Sequence, residues 1–245
     1  MKSVKPSFHD ILFPNIHDEG LKFISILAII SLILLLISTT LGVIFLLITL
    51  ICFYSFKDNK RVTPILSGVV ISPSDGIVIS ITKEKGPDVF DLRNKNFNKI
   101  RIFSTFFNNH IKRIPIKGKI INTFYDDEFD ISCIGGLNIF KSLGFNYKIF
   151  KYETFLIHIK DEDGNNFIIQ FYSPCLCKKI KLNVKRGNEF LAGNKVGFIR
   201  FCSYVDIFLP EKISPQVCIG QTMISGETIV ADTKSDAPRI NGEIR

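Results

Sequence analysis

The stretch VGFIRFCSYVDIFLP, Val196–Pro210, decides how the chain is read. Its apolar residues alternate with period two, which predicts one long, half-buried strand. One face carries Ile199, Phe201, Val205, Ile207 and Leu209, and Ser203 interrupts it. A strand serine is ordinarily structural, its hydroxyl bonded to a nearby carbonyl. The rest of the chain decides whether Ser203 is more than that.

Outward from this strand, short alternating runs separated by Gly, Pro, Asn and Asp recur from residue 65 onward. They are Ile65–Ser72, Gly76–Thr82, Lys99–Ser104, Gly118–Tyr125, Lys151–Lys160, Asn166–Tyr172, Lys179–Lys185, Lys195–Leu209 and Thr228–Ala231. Such spacing predicts a sandwich or barrel. Ile139–Ile149 reads equally as helix or loop. Two segments share a frame: in VKRGNEFLAGNKV, Val184, Gly187, Gly193 and Val196 match Val217, Gly220, Gly226 and Ile229 of VCIGQTMISGETI, all at one constant offset. Each predicts two short strands around glycine-permitted turns. The frame is similar to the hammerhead turns of barrel-sandwich folds. The lysine that a biotinyl or lipoyl carrier bears at a hairpin tip is missing. The expected fold is mainly β, a barrel-sandwich-like domain preceded by a hydrophobic helical hairpin.

That hairpin is read from Leu21–Phe56, where Lys22 is the one charged residue. One helix of this length would measure about 54 Å, against a hydrocarbon core of about 30 Å. Ser38–Gly42 splits it into halves near 23–38 and 43–56. Lys2, Lys5 and Lys22 precede it and Lys57, Lys60 and Arg61 follow. Basic flanks at both ends place both ends in the cytoplasm. The competing reading is a core hairpin of a soluble protein. The expected domains are 1–62, the membrane hairpin; 63–232, the β domain; and 233–245, a flexible tail.

Of 245 residues, 31 are basic and 23 acidic, a net charge of +8, so an acidic partner is expected. No nucleic-acid motif accompanies the charge. Lys112, Arg113, Lys117 and Lys119 form one basic cluster, and KKIKLNVKR (Lys178–Arg186) another. Each reads as a solvated strand face, or, behind a membrane hairpin, as a contact for anionic headgroups. The six cysteines, Cys52, Cys133, Cys175, Cys177, Cys202 and Cys218, contain no CxxC pair, so neither a disulfide framework nor a metal site is expected.

Two further places could carry chemistry. In ISPSDGIVIS (Ile71–Ser80), Asp75 sits before Gly76 in a turn, an ordinary position for an aspartate. In FSTFFNNHIKRIPIKGKI (Phe103–Ile120), His110 lies in a polar loop beside a strand end, and histidine suits proton transfer near neutral pH. His158 alternates with Ile157 and Ile159 and reads as a strand-face residue.

Together these segments resemble the short, bacterial and archaeal-type phosphatidylserine decarboxylase proenzymes over nearly the whole chain. The resemblance rests on NIHDEGLKF (with Ile16, His17, Glu19 and Gly20), FKDNKRVTP (Phe56–Pro64), SPSDG, the Asn108, His110, Arg113, Pro115 spacing, and GFIRFCSYVDIFLP. It implies that Ser203 attacks the Cys202 carbonyl and turns the peptide bond into an ester. Elimination then splits the chain into β (1–202) and α (203–245) chains, with Ser203 becoming a pyruvoyl group. It implies an Asp75, His110, Ser203 constellation with His110 as proton carrier. It also implies a pyruvoyl ketone that forms a Schiff base with the serine headgroup and takes up electrons as CO2 leaves. Arg113, Lys112 and Arg200 are the expected substrate-binding residues, and no metal is expected. The implied partners are phosphatidylserine, an anionic membrane surface on the cytoplasmic side of the cell membrane, and the chain's own two halves; a homo-oligomer is left open. Cys202 stands where the family has glycine, Tyr204 where it has arginine, and SLGFNYKIF (Ser142–Phe150) departs from the family's polar segment. The alternative is a membrane-anchored homologue that binds lipid without cleaving itself.

Overall fold

The structure is a computed structural model that describes residues 16, 18–105, 107–129, 152–174, 180–200, 203–235, 237 and 242. It divides into two units, Met1–Lys60 with Phe107–Asn109, and Arg61–Phe106 with His110–Arg245.

The first unit is a helical hairpin, α1 (Asp18–Ile37) and α2 (Thr39–Ser55). Gly20–Ile37 is long and apolar enough to cross a bilayer; α2 is shorter. The break is tighter than expected from Ser38–Gly42, because Ser38 alone is extended and Gly42 N already donates to Ser38 O at 3.0 Å. The hydroxyls along the helices bond backward, Ser31 to Ala28 O, Thr49 to Phe45 O and Ser55 to Ile51 O, so they leave little polar demand. Ile29, Leu32, Leu36, Ile37, Leu47 and Leu50 are exposed. Apolar side chains facing outward around a helix pair suit lipid rather than water. A Cβ at Gly42 would lie 2.4 Å from Leu35 Cγ and 2.6 Å from Leu35 Cα, so only glycine permits this crossing. Beyond the end of α2, Asn109 Nδ2 donates to Lys57 O at 3.1 Å.

The second unit is mainly β. Its strands are β1 (Val69–Ile71), β2 (Gly76–Lys85), β3 (Asn96–Ser104), β4 (Ile111–Arg113), β5 (Gly118–Phe129), β6 (Tyr152–Lys160), β7 (Asn166–Pro174), β8 (Ile180–Leu182), β9 (Glu189–Phe190), β10 (Lys195–Ile199), β11 (Ser203–Pro210), β12 (Thr222–Met223) and β13 (Ile229–Asp232). Eight form one antiparallel sheet in the order β12-β2-β3-β11-β7-β6-β5-β9, curled into a half-barrel. Among the described residues two smaller sheets, β1-β13 and β4-β10-β8, accompany it. Val205, Ile207 and Leu209 join Ile100, Ile102, Ile169 and Phe171 in the main core.

The shared glycine frame is the signature of an approximate internal two-fold. Gly187, Gly193, Gly220 and Gly226 all have φ between 80° and 89°, a region that glycine enters at little steric cost. Gly187 N donates to Ile120 O and Gly220 N to Val78 O; Gly193 N donates to Ile114 O and Gly226 N to Ser72 O. The receiving segments are themselves related, since Ser72-Pro73 and Gly76 correspond to Ile114-Pro115 and Gly118 at the same spacing. Where they cross, Ile71 N donates to Pro115 O at 2.8 Å and Arg113 N to Pro73 O at 3.0 Å.

The structure corrects the reading of Val196–Pro210. It is two strands in different sheets, not one: β10 pairs with β4 and β8, and β11 with β3 and β7. Nor is β11 half-buried. The face opposite the main core carries Tyr204, Asp206 and Phe208, all buried, because β11 is central and covered on both sides. The run from Ile65 shortens to Val69–Ile71, and Ile65 is 99% exposed. Ile139–Ile149, Ser142–Phe150, His17, Cys133, Cys175, Cys177, Phe201 and Cys202 lie outside the described residues, as does most of 233–245.

Replacing Gly42 with leucine should push α1 and α2 apart and lower hairpin stability by about 1–3 kcal/mol. Thermal unfolding in detergent micelles, followed by helical circular dichroism, reads this. An unchanged midpoint would show that the crossing at Gly42 has room for a side chain.

Candidate active site

Ser203 opens β11 and is fully buried, paired in register with Ser104 of β3. Its position is set from the far side of the strand. Arg101 donates to Asp206 through Nε (2.7 Å to Oδ1) and Nη2 (2.6 Å to Oδ2), and Tyr172 Oη donates to the same carboxylate at 3.1 Å. A bidentate pair of this kind tolerates no slip, so β3, β11 and β7 are locked in one register. Burial pulls the Arg101 guanidinium down, but the hydrogen bond to Asp206 and the charge of that carboxylate together more than offset it and keep the group charged. Burial, with the Asp206 charge, pushes the Tyr172 phenol well above its ordinary value.

The turn Ser72–Asp75 approaches from the β1–β2 connection. Ser72 Oγ donates to Ser74 O, and Ser74 Oγ to Asp75 O. Gly76 lets β2 run hard against β3: a Cβ there would meet the Phe103 carbonyl oxygen at 2.3 Å. Asp75 accepts from Ser225 N at 2.6 Å and from Arg61 Nη2 at 2.7 Å. This is more than a turn aspartate requires, since it ties β1–β2, the β12–β13 connection and the segment before β1 to one carboxylate.

Lys112 completes the cluster from β4. Its Nζ donates to Ser74 Oγ at 2.6 Å and to Ser203 Oγ at 3.0 Å, and the residue is fully buried. Burial pushes the Lys112 ammonium down to about 7, against the pull of the Asp75 charge.

The expected residues are therefore distributed as follows. Ser203 and Lys112 touch, and Asp75 follows Ser74, the other hydroxyl that Lys112 bonds. His110 is buried at the entry to β4, its ring stacked on Phe198 at 5.5 Å, and its carbonyl accepts from Ile199 N. Arg113 is buried and donates to Gly193 O at 2.8 Å. Arg200 is half-buried in the link between β10 and β11. The basic cluster 112–119 is thus no single surface: Lys112 and Arg113 point inward, while Lys117 and Lys119 are exposed. His158 is a strand-face residue, bonded to Asn166 Oδ1 at 3.0 Å. Residue pattern points to neither Arg61 nor Ser74, although both lie within the quoted motifs FKDNKRVTP and SPSDG. Among the described residues no group of His, Cys, Asp and Glu could hold a metal ion.

The Lys112 environment gives a signed pH effect. The ordinary lysine value is 10.5 and the folded value about 7, so between them the unfolded chain binds the extra proton. Stability from this group rises with pH across that window, and the penalty is fully present below it. Lys112→Met removes the penalty. Relative to the parent chain, it should resist denaturant better at pH 6 than at pH 9.5. An identical difference at both values would show that the amine is not held in a dry site.

Comparison with known proteins gives the family. The family model for phosphatidylserine decarboxylase matches residues 48–231. A phosphatidylserine decarboxylase proenzyme of Cereibacter sphaeroides is 33% identical over 229 residues, 94% of this chain and 94% of its own. One from Ruegeria pomeroyi is 34% identical over 223 residues, covering 91% and 97%. One from Rickettsia akari is 33% identical over 222 residues, covering 90% and 91%. No solved structure gives a significant match. With most of its length matched by the family model and by full-length relatives, the chain belongs to the phosphatidylserine decarboxylase family.

Proposed function

We propose that the chain is a proenzyme that splits itself between Cys202 and Ser203, and that the processed enzyme converts phosphatidylserine to phosphatidylethanolamine. The observation that carries this is the Ser203 hydroxyl: fully buried, at the start of a central strand, with an amine at 3.0 Å. A structural serine needs only a carbonyl. Here the hydroxyl meets a side chain able to exchange a proton with it.

In the cleavage, Ser203 Oγ adds to the Cys202 carbonyl carbon and the C–N bond breaks, leaving an ester. Loss of the Ser203 Cα proton then breaks the Cβ–O bond, which frees the Cys202 carboxylate. Water replaces the nitrogen at Cα and ammonia leaves. A site closed to bulk water keeps the ester from simple hydrolysis before elimination. The group so made stays on residue 203, and the buried, amine-lined position of Ser203 fits it. When formed, it supplies an electron-accepting carbonyl for decarboxylation.

Other residues of the chain take the remaining roles in this reading. Asp75, held by Arg61 and Ser225 N, is a fixed negative charge whose field reaches the Lys112 amine. His110, just ahead of Lys112 in the chain, is the proton carrier that returns a proton to substrate carbon after CO2 departs. Of the basic residues assigned to the substrate, Arg200 is the partly exposed one and adjoins the scissile segment, so it is the headgroup phosphate ligand of first choice, with Lys112 and Arg113 behind it. The apolar hairpin keeps the enzyme at the surface where its lipid lies, with both ends on the cytoplasmic side.

Intact-mass measurement of the purified chain and of Ser203→Ala tests this. The parent should yield two fragments split before residue 203, the smaller trapped by hydroxylamine, and should release CO2 from phosphatidylserine vesicles. Ser203→Ala should remain one chain near 27.8 kDa without activity. A parent chain that stays whole would instead mark a lipid-binding homologue.

A further inference from the structure

The internal two-fold supplies a control for each residue of the site. At the spacing that relates the two turns, Ser74 corresponds to Ile116, Asp75 to Lys117, and Lys112 to Val70. Val70 is fully buried in the main core, as the architecture of a crossing strand wants. The same position in the other half holds a lysine, equally buried, whose amine reaches two hydroxyls and no carboxylate at bonding distance among its described contacts. Placing an amine in a dry core is costly if it stays charged. Valine fills the related site at no such cost, so packing does not explain Lys112.

We infer that Lys112 is the base of the self-cleavage step: its neutral amine takes the Ser203 hydroxyl proton as the oxygen attacks the Cys202 carbonyl, and its ammonium returns that proton to the Ser203 nitrogen as the C–N bond breaks. This rests on the processing reading above. The proton is conserved over the two transfers, and no other reactant is needed for the acyl shift. The geometry is that of an oriented base beside a hydroxyl nucleophile, with lysine in the base's place. Ser74 serves as the orienting third group: its hydroxyl donates to Asp75 O and is therefore left to accept from Lys112.

The groups around the amine are compatible with this role. Asp75 in the β1–β2 turn is the charge that favours the ammonium, and Arg61 holds that carboxylate from its other side. Along β4 the ionisable neighbours are His110 and Arg113. From β10 the paired residue is Gly197, which contributes no charge, and from β11 it is Ser203 itself that meets the amine. Burial pushes the ammonium down to about 7, so a large share of the amine is neutral near physiological pH.

The test follows chain splitting by intact mass after cell-free synthesis into lipid nanodiscs, for the parent, Lys112→Met, Lys112→Arg, Ser74→Ala and His110→Ala. The parent should split, faster as pH rises through about 7, and then level off. Lys112→Met and Lys112→Arg should each slow splitting about 10²–10⁴-fold, arginine because its guanidinium stays protonated. Ser74→Ala, which withdraws an acceptor from the ammonium, should move the pH midpoint downward, a change that a merely structural lysine would not produce. Splitting at the parent rate in Lys112→Met, or arrest in His110→Ala alone, overturns the inference and leaves the proposed function standing. A parent chain that never splits overturns both. Should the Lys112 variants fail to fold, the parent and Ser74→Ala profiles decide: a flat rate, or an unmoved midpoint, overturns the inference.

Discussion

Two reciprocal hydrogen bonds, Ile71 N to Pro115 O and Arg113 N to Pro73 O, hold the rest of the β unit in place. They join the two strand-to-turn segments back to back at the axis of the internal two-fold. On one side of that crossing stand Ser74 and Asp75, on the other Lys112. Backbone bonds of this kind are worth about 1 kcal/mol each, but a buried N–H left without its acceptor costs more. The crossing is thereby fixed closely, and the amine of Lys112 is delivered to the hydroxyls of Ser74 and Ser203 together.

The two halves then diverge in use. SPSDG bears a short polar turn whose Ser74 hydroxyl shares the Lys112 amine with Ser203 at the start of β11. IPIKG, its counterpart, bears Ile116 in the core and Lys117 at the surface, paired with Glu162 at 2.6 Å. One half carries a polar turn bonded into the core, and the other carries an apolar residue in the core and a surface ion pair, although the same glycine-framed hairpins support both. The related backbone bonds stay the same while the side chains of the two halves differ.

The Arg101–Asp206 pair does for the sheet what the crossing does for the turns. Buried ion pairs add little net stability over apolar residues of the same volume, but breaking one leaves an uncompensated charge. Its effect here is on register. With Asp206 held by Arg101 on β3 and by Tyr172 on β7, Ser203 is placed opposite Ser104 at the end of the strand where the turn and Lys112 converge. A shift of one residue would turn Ser203 to the other face.

What could be read from residues alone was whatever depends on neighbours in sequence: the apolar hairpin, the strand-rich remainder, the repeated glycine frame, and the family's motifs in order. Each is a local pattern, set by period, propensity or φ > 0. Partnership was not legible. Alternation in Val196–Pro210 is the same whether the chain runs through one sheet or passes between two, so the break before Ser203 was invisible. A lysine next to an arginine in a basic run looks solvated. Only the crossing of β4 with the β1–β2 turn, and the meeting of segments far apart in the chain, puts Lys112 in the core on Ser203. The same holds for Arg61 on Asp75. Long-range antiparallel pairing decided these contacts, because burial belongs to the assembled sheets and not to any stretch of the chain.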